Sequence, residues 1–364
     1  MKVTRSLSAV FLCALLTLPV LAQVTTQQGQ TNDYGSSGGN IEDHSNAFCC
    51  SGTLGALVSG GNNDYLILSN NHVLGRSGAA VVGEDVSQPG LIDSGCRPRR
   101  LVADFTAAPA LGSSNVDAAV AALKSGTMNT TGKIVGISAI ASAPASGVTP
   151  GLGVKKSGRT TGLTTGSVGS INTSVKVQYQ RGCNSGKKFT VSYTNQVVIN
   201  SSTFSAGGDS GSLIVTNESC ARPVALLFAG SSSTTIGNPI SQVLSRVSNA
   251  LGRTVTIVGQ CSASGGTAQG ASAALGVSAM ELDRADFAKR QHARRLMLDD
   301  AVQGVGVGAA DDNSGEAVIV VYVEQGRVHK PIPNELDGVR TKVVRTDKIR
   351  ANGWNESTGQ SCRK

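Results

Sequence analysis

The sequence predicts an all-β domain, built as an antiparallel sandwich or barrel, followed by a smaller α+β module. Short apolar runs recur between clusters of Gly, Ser, Asn and Pro from Ser51 to about Gln260, which is typical of antiparallel β-proteins. The chain has 45 glycines but only 4% aromatic and 15% charged residues, which excludes a coiled coil and charge-driven disorder. The last 102 residues carry 27 charged side chains, as many as the 240 residues from Gln23 to Ser262. This change in composition predicts a second structural unit.

Residues 1–22 have the pattern of a secretory signal peptide. Lys2 and Arg5 precede the apolar stretch Val10 to Leu18, and Val20-Leu21-Ala22 is typical of a cleavage site. Removal of this segment lowers the formal net charge from +8 to +6, because it carries two basic residues and no acid. After residue 24 no apolar run approaches the ~18 residues of a membrane helix. We therefore expect a secreted protein, extracellular or periplasmic, with no membrane segment once the signal is removed.

Residues 49–261 contain the predicted β-domain. Its clearest predicted strands are Leu54 to Val58, Tyr65 to Leu68, Ala118 to Leu123, Val175 to Tyr179, Gln196 to Ile199, Leu213 to Val215 and Val224 to Phe228. One helix is predicted over Pro239 to Val247, where apolar residues repeat with a period of 3.6.

Two segments lack any structural period. Residues 23–48, rich in Gln, Ser, Gly and Asn, are predicted to be an exposed, flexible leader, and residues 262–272, rich in Gly, Ala and Ser, a linker. Residues 273–364 then form the small α+β accessory module. Its predicted elements are a charged helix over Met280 to Val302, the segment Gly304 to Ala309, and strands at Ala317 to Val323 and Val339 to Val344.

Seven cysteines remain after Cys13 leaves with the signal. In an oxidising compartment disulfides are the default, and an odd number leaves at least one thiol over or paired between chains. The pairing cannot be deduced from the sequence. None of the cysteines has zinc-site spacing, and no metal or cofactor is expected.

The hexapeptide Gly207-Gly208-Asp209-Ser210-Gly211-Ser212 precedes the predicted strand Leu213 to Val215. A serine hydroxyl becomes a good nucleophile only beside a base, and flanking glycines allow the tight turns that aim backbone N–H groups at a developing oxyanion. Taken alone, the hexapeptide is more simply explained as a Gly/Ser turn between strands.

His72 is the candidate base, because it follows an apolar strand, whereas His44 lies in the leader and His292 and His329 in the charged module. Asp117 stands next to an apolar run, as a buried carboxylate that orients an imidazole would. A lone His is often structural, and an Asp at a strand start is often only a turn residue.

Together these residues resemble the catalytic triad of trypsin-like (chymotrypsin-fold) serine peptidases, because His72, Asp117 and Ser210 occur in the family's order, 45 and 93 residues apart. The segment 153–163 resembles a strand-and-turn segment of the bacterial secreted, α-lytic-type members of this family. Residues 227–231, followed by Asn238-Pro239, resemble the family's substrate-binding strand and closing helix.

The resemblance covers about Cys50 to Val258 and implies two six-stranded antiparallel β-barrels with the triad between them. By this similarity Ser210 is the nucleophile, His72 the general base and then acid, and Asp117 the group that orients the imidazole. The N–H groups of Gly208 and Ser210 would form the oxyanion hole.

The chain departs from the family pattern at several positions. Val73 replaces the cysteine that commonly follows the catalytic histidine, so Cys50 is expected to pair elsewhere or to stay free. Phe228 stands where a serine often supports the triad acid. Phe204 stands where trypsin has its specificity acid and, with Phe228 and Gly230, is predicted to line a pocket for a small or apolar side chain.

No Ile-Val-Gly-Gly start is present, so no freed amine of that kind can pair with Asp209. We expect Lys156 or Arg159 to supply an internal cation instead, since both lie in the segment that resembles the bacterial members.

The sequence as a whole favours a secreted serine endopeptidase that acts on polypeptides without a cofactor. The alternative is a catalytically weak trypsin-like fold that serves as a binding or regulatory protein. Nucleic acid is not an expected partner, because the basic clusters lack interleaved aromatic residues and no phosphate-binding glycine loop is present. The sequence does not indicate an oligomeric state.

Overall fold

The computed structural model describes residues 31–183, 185–262, 276–312 and 314–351. The predicted signal segment 1–22 and residues 263–272 of the predicted linker lie outside the described residues. Within the described ranges the chain is mostly β-structure with three α-helices, which confirms the predicted class. Its strands are β1 (Ser36–Asn40), β2 (Gly52–Leu54), β3 (Ala56–Ser59), β4 (Tyr65–Ser69), β5 (Asp85–Gln88), β6 (Arg100–Ala107), β7 (Ala119–Leu123), β8 (Ala139–Ile140), β9 (Gly153–Gly158), β10 (Gly162–Gln180), β11 (Lys188–Asn200), β12 (Leu213–Thr216), β13 (Cys220–Ala221), β14 (Pro223–Gly230), β15 (Thr234–Pro239), β16 (Thr256–Ile257), β17 (Val302–Ala309), β18 (Ala317–Glu324), β19 (Glu335–Leu336) and β20 (Val339–Thr346).

The first barrel is a ring of antiparallel strands. Its order is β3-β4-β7-β6-β5-β1-β2, and β2 runs into β3 after the single residue Gly55, so that the two act as one bent strand that closes the ring. Strand β16 returns from the far end of the domain to pair with β3.

The second barrel is also a closed antiparallel ring, in the order β11-β15-β14-β12-β9-β10, with β10 pairing back to β11. The curled first sheet, whose end strands are separated only by Gly55, and the closed second ring agree with the predicted double-barrel fold. Strands β10 and β11 extend beyond the barrel as a long hairpin. Near its tip, the side chains of β10 alternate between buried Val175, Val177 and Tyr179 and half-buried Lys176 and Gln178, which is the period-2 pattern of a sheet with one face on a core.

Three α-helices accompany the strands. Helix α1 (Asn71–Leu74) is a single turn after β4, α2 (Ile240–Leu251) follows the second barrel, and α3 (Ala279–Leu296) opens the module. Helix α2 buries one face and ends at Gly252, whose left-handed φ of 68° terminates the helix. None of the helices in the described ranges combines the length and apolar character needed to cross a bilayer.

The C-terminal module continues the second barrel's sheet. Strand β17 pairs antiparallel with β10, β18 pairs antiparallel with β17, and β20 pairs parallel with β18. Strand β18 is buried on both faces, which explains its continuous apolar run. Val318, Val320 and Tyr322 face the cluster that contains Tyr179, whereas the alternate residues pack in the cluster that contains α3.

The structure corrects the prediction that residues 23–48 are an exposed leader. Residues 36–40 form β1, all five buried, between β2 and β5. The reason is steric: a Cβ at Gly38 would lie 2.4 Å from Leu54 Cγ, so only a strand of small residues fits there. A strand of Ser, Gly and Asn carries no apolar period, and the sequence pattern therefore did not reveal it.

Six cysteines of the described residues form three disulfides: Cys49–Cys96, Cys50–Cys183 and Cys220–Cys261. Cys50 is thus paired, with a cysteine in the β10–β11 turn 133 residues away, and the alternative that it stays free is wrong. This bond ties the hairpin tip to the first barrel. Cys362, the seventh cysteine, lies outside the described residues, so the prediction of a leftover or intermolecular thiol stays a prediction. Three disulfides are typical of a protein that matures outside the reducing cytoplasm.

Candidate active site

Three polar residues from separate elements lie in one region at the junction of the barrels, where a Cβ at Gly52 would lie within 2.8 Å of both the Ser210 carbonyl and the side chain of Val73, the residue after His72. His72 lies on α1 directly after β4, Asp117 precedes β7, and Ser210 lies in the loop before β12. All three are buried, with 6%, 0% and 3% of their surface exposed. The structure therefore brings all three predicted residues to the same region.

Two hydrogen bonds connect His72 with Asp117. The imidazole Nδ1 lies 2.6 Å from Asp117 Oδ2, and the backbone N–H of His72 donates to Oδ1 at 3.1 Å. The Asp117 backbone is fixed as well, because Asn70 Nδ2 donates to its carbonyl at 2.7 Å and its N–H donates to Asn238 Oδ1 at 2.9 Å. With the carboxylate on Nδ1, the imidazole proton is held there and Nε2 is left as the acceptor.

Tyr179 supplies a further hydrogen bond to this carboxylate that the sequence did not reveal. Its hydroxyl donates to Asp117 Oδ2 at 2.8 Å, and Tyr193 OH lies 2.6 Å from Tyr179 OH. Burial raises the pKa of both phenols, so both are neutral donors. Phe228 stands where the family often places a supporting serine. Its ring packs edge-on against the ring of Tyr193, with 4.9 Å between the ring centroids. The supporting hydroxyl therefore comes from the hairpin instead.

The Ser210 loop is held by the first barrel. Thr53 N–H donates to the Ser210 carbonyl at 2.8 Å, and Thr53 Oγ1 donates to the Gly208 carbonyl at 2.9 Å. Gly208 and Gly211 adopt φ of 98° and 97°, and a Cβ at either would lie within 2.4 Å of a neighbouring atom. Both positions therefore require glycine.

The backbone N–H groups of Gly208 and Ser210 donate no hydrogen bond to any residue that the structure describes. Their neighbours Asp209 and Gly211 do donate, to Ala206 O at 3.1 Å and Leu227 O at 2.8 Å. The two N–H groups predicted to hold an oxyanion are therefore free to bind one.

The carboxylate of Asp209, next to Ser210, accepts four hydrogen bonds. Its Oδ1 accepts from the N–H groups of Thr160 and Thr161 at 2.8 and 3.1 Å, and its Oδ2 accepts from Thr161 Oγ1 at 2.7 Å and Ala206 N–H at 2.9 Å. Lys156 Nζ lies 3.6 Å from Oδ2, and both side chains are fully buried. Burial lowers the pKa of Lys156, and the Asp209 charge opposes that shift.

Arg159, the other predicted cation, faces a different acid. Its guanidinium forms a two-pronged ion pair with Asp93 of the first barrel, at 2.6 and 2.7 Å. Of the two predicted cations, the structure places Lys156 beside Asp209 and Arg159 at the junction of the barrels.

The hydroxyl of Ser210 is hydrogen-bonded to the C-terminal segment. Its Oγ donates to the carbonyl of Ala351 at 3.3 Å, and among the residues described here no hydrogen bond joins it to His72. The residues predicted to line a substrate pocket contact other parts of the protein instead. Phe228 and Phe204 have no exposed surface and lie in different apolar clusters, so Phe204 lines no open cavity beside Phe228. Gly230 pairs with Arg350.

Asp43 is a buried acid whose electrostatic neighbours are His72, Arg76 and Glu84. Burial raises its pKa to about 7, against the opposing effect of His72 and Arg76. Folded Asp43 keeps its proton in the window from about pH 4 to about pH 7, where the unfolded chain has lost it. The folded state then binds more protons than the unfolded state, so the free energy of unfolding falls as pH rises through this window, by on the order of 4 kcal/mol.

We therefore expect Asp43→Asn, which cannot ionise, to remove this fall and to be more stable than the wild type at pH 8. Urea unfolding of both proteins at pH 5 and pH 8 tests it. An equal difference between the two proteins at both pH values would contradict the assignment.

Sequence reasoning missed two features of this site. Tyr179 was placed on a strand, and the alternation of β10 put it on the buried face, where a tyrosine hydroxyl needs a partner, but nothing local identified Asp117, 62 residues away. The segment Ile349 to Ala351 carries no signal that it reaches Ser210.

Comparison with known proteins gives structural matches only. No protein-family profile matches the chain, and no curated protein matches it. The structure is similar to a glutamic-acid-specific serine protease that uses a histidine triad in substrate binding, with 20% identity over 62% of this chain and 98% of that one and a TM-score of 0.42. It is also similar to Thermobifida fusca protease A (17%, covering 58% and 92%, TM-score 0.38) and to an α-lytic protease homologue, N4 (18%, covering 58% and 94%, TM-score 0.37). These are low-identity matches to bacterial serine proteases of the chymotrypsin fold.

Proposed function

We propose that the protein is an exported serine endopeptidase that cleaves polypeptides through an acyl-enzyme on Ser210. The observation that supports the proposal is the buried His72–Asp117 pair, with 2.6 Å between Nδ1 and Oδ2, in the same region between the barrels as the glycine-flanked Ser210. A buried imidazole–carboxylate pair next to a serine is the arrangement that turns a hydroxyl into a nucleophile.

In the proposed reaction His72 Nε2 accepts the Ser210 hydroxyl proton as Oγ bonds to the carbonyl carbon of the substrate. The resulting oxyanion is held by the N–H groups of Gly208 and Ser210, each worth about 3 to 4 kcal/mol in the transition state. The imidazolium returns the proton to the leaving amine, which departs and leaves an acyl-enzyme. Water then repeats the sequence, with His72 as base, and releases the acid.

Asp117 keeps the Nδ1 proton in place and stabilises the imidazolium charge, and it is itself stabilised as a carboxylate by the Tyr179 hydroxyl. Lys156 neutralises Asp209 within the protein interior, which fixes the backbone on either side of Ser210 without a freed N-terminal amine. Three disulfides suit a protein that acts after export.

Trapping the acyl-enzyme tests this function. The purified chain is incubated with a p-nitrophenyl ester, quenched in acid and weighed by intact-protein mass spectrometry, and the modified residue is located by peptide mapping. We expect one acyl group on Ser210, absent in Ser210→Ala and retained in Ser202→Ala, a change at an exposed serine of the same barrel. The same experiment is run on Ile349→Asp, because the segment that contains Ile349 contacts Ser210 Oγ through Ala351. Acylation elsewhere, or none on either folded protein, would contradict the proposal.

A catalytically silent binding protein is the second candidate. It is favoured by the hydrogen bond from Ser210 Oγ to the Ala351 carbonyl at 3.3 Å, because among the described residues this hydroxyl makes no hydrogen bond to His72. The trapping experiment separates the two, since a silent fold gives no adduct at Ser210.

If the peptidase function holds, Tyr179→Phe should lower kcat about 10-fold or more with little change in KM. The reason is the loss of a hydrogen bond to a charged group, worth about 1.5 to 3 kcal/mol, while the ring and its packing remain. Steady-state ester hydrolysis across a pH series measures the effect.

Tyr193→Phe is the matched control. Its hydroxyl contacts Tyr179 OH and is therefore one hydrogen bond further from the Asp117 carboxylate. The effect of Tyr193→Phe on kcat should be clearly smaller. Equal losses in both variants, or a loss confined to thermal stability, would assign Tyr179 a purely structural role.

A further inference from the structure

The last described residues, Ile349 to Ala351, lie between the backbones of β10 and β14 and bridge them at Arg350. On one side Arg350 pairs antiparallel with Gly230, the N–H of each donating to the carbonyl of the other at 2.9 Å. On the other side Gln178 N–H donates to the Ile349 carbonyl, and Ala351 N–H donates to the Gln178 carbonyl, both at 3.0 Å. Four backbone hydrogen bonds thus hold a three-residue segment from two edges.

The side chains of this segment are buried in the protein's own apolar cluster. Ile349 is 0% and Ala351 2% exposed, and both belong to the cluster that contains Tyr179 and Phe228. Since Tyr179 OH contacts Asp117, the sites that receive these two side chains adjoin the candidate triad.

The segment also engages the nucleophile. Ala351 O accepts a hydrogen bond from Ser210 Oγ, with 3.3 Å between the two oxygens. The hydroxyl proton in this bond is the one that His72 must receive for Oγ to attack a substrate. A peptide substrate at Gly230 would need the backbone groups that Arg350 now uses.

The approach of the segment is fixed by the C-terminal module. It leaves β20 at buried Thr346, whose Oγ1 hydrogen-bonds Ser231 Oγ at 2.7 Å and Thr234 Oγ1 at 3.1 Å. The module therefore delivers the strand to the cleft at the end of the β14–β15 hairpin.

An extended peptide that adds to a sheet edge gains affinity from main-chain hydrogen bonds and specificity from side-chain sites on alternate residues. We propose that residues 349–351 occupy the peptide-binding cleft as an intramolecular, substrate-like strand that keeps Ser210 inactive until it is displaced. This inference rests on the proposed peptidase function. It also names a substrate class: extended peptides with an aliphatic side chain two residues before a small one.

The rate at which a fluorophosphonate labels Ser210, followed by intact mass, tests the proposal on the full chain. We expect Ile349→Asp, which puts a charge in the apolar cluster, to label about 10-fold or more faster than the wild type, because the open fraction multiplies the apparent rate. Val343→Asp is the matched control, since Val343 is 42% exposed on β20, and it should label like the wild type.

Two further variants keep the test valid if Ile349→Asp fails to fold. Arg350→Pro removes the N–H that donates to Gly230, and a chain that ends at Lys348 removes the segment altogether; both should label fast. An acetylated peptide of residues 346–351 added to the shortened chain should slow labelling again, and the same peptide with Ile349→Asp should not.

The possible outcomes distinguish a failure of the self-inhibition from a failure of the proposed peptidase function. Equal labelling rates in the wild type and in folded displaced variants would overturn the self-inhibition while leaving the peptidase intact. No labelling of any folded variant would overturn both.

Discussion

Asp117→Asn should lower kcat by about 10⁴-fold while leaving the protein folded. The carboxylate accepts from both the Nδ1 and the backbone N–H of His72, at 2.6 and 3.1 Å, and an amide cannot accept at both positions and also stabilise an imidazolium. The variant stabilises the tautomer with its proton on Nε2, which cannot accept the serine proton. Ester hydrolysis in the wild-type and Ile349→Asp backgrounds measures the loss.

Asp104→Asn is the control for this prediction, because Asp104 is a half-exposed acid that pairs with Lys124 on the barrel surface. It should leave kcat unchanged. A loss below 10-fold in Asp117→Asn, with the same loss in the control, would mean that Asp117 does not orient the base.

Lys156→Met should destabilise the protein by about 3 to 5 kcal/mol, the usual cost of removing one partner of a buried ion pair. The ammonium is fully buried, lies 3.6 Å from Asp209 Oδ2 and donates to Gly162 O at 2.9 Å. Methionine keeps most of the volume but leaves Asp209 as an uncompensated buried charge beside Ser210. Urea unfolding at pH 7 gives the difference in free energy.

Lys155→Met changes the adjacent lysine, whose Nζ reaches an exposed loop carbonyl at Glu218, and should cost less than about 0.5 kcal/mol. The double variant Lys156→Met with Asp209→Asn should recover part of the lost stability, because the unpaired charge is gone. Equal costs for the two lysines would show that the Lys156–Asp209 pair does not stabilise the fold.

The β-strands of the barrels were predictable because apolar runs and turn residues are local signals. The run Tyr65 to Leu68 and the alternation Val175 to Tyr179 both lie within observed strands. Strand β1 was not predictable, since its Ser, Gly and Asn residues are buried for their small size rather than for their hydrophobicity.

For the candidate site, the family resemblance carried by the order and spacing of His72, Asp117 and Ser210 predicted the contact between His72 and Asp117. The groups that support them were not predictable, because they depend on long-range packing. Tyr179 reaches Asp117 only through the path of the hairpin, which Cys50–Cys183 anchors, and Arg159 finds Asp93 across the barrel junction. Ala351 meets Ser210 only because β17 extends the sheet of the second barrel, and no local pattern encodes that.

The central claim is that Ser210 is an activated nucleophile. Intact-protein mass spectrometry of the Ile349→Asp chain after treatment with a fluorophosphonate tests it most directly, because the cleft is then expected to be open. We expect one adduct, mapped to Ser210, that is lost when Ser210→Ala or His72→Ala is added. A folded protein that takes no adduct, or one whose adduct persists without His72, would contradict it.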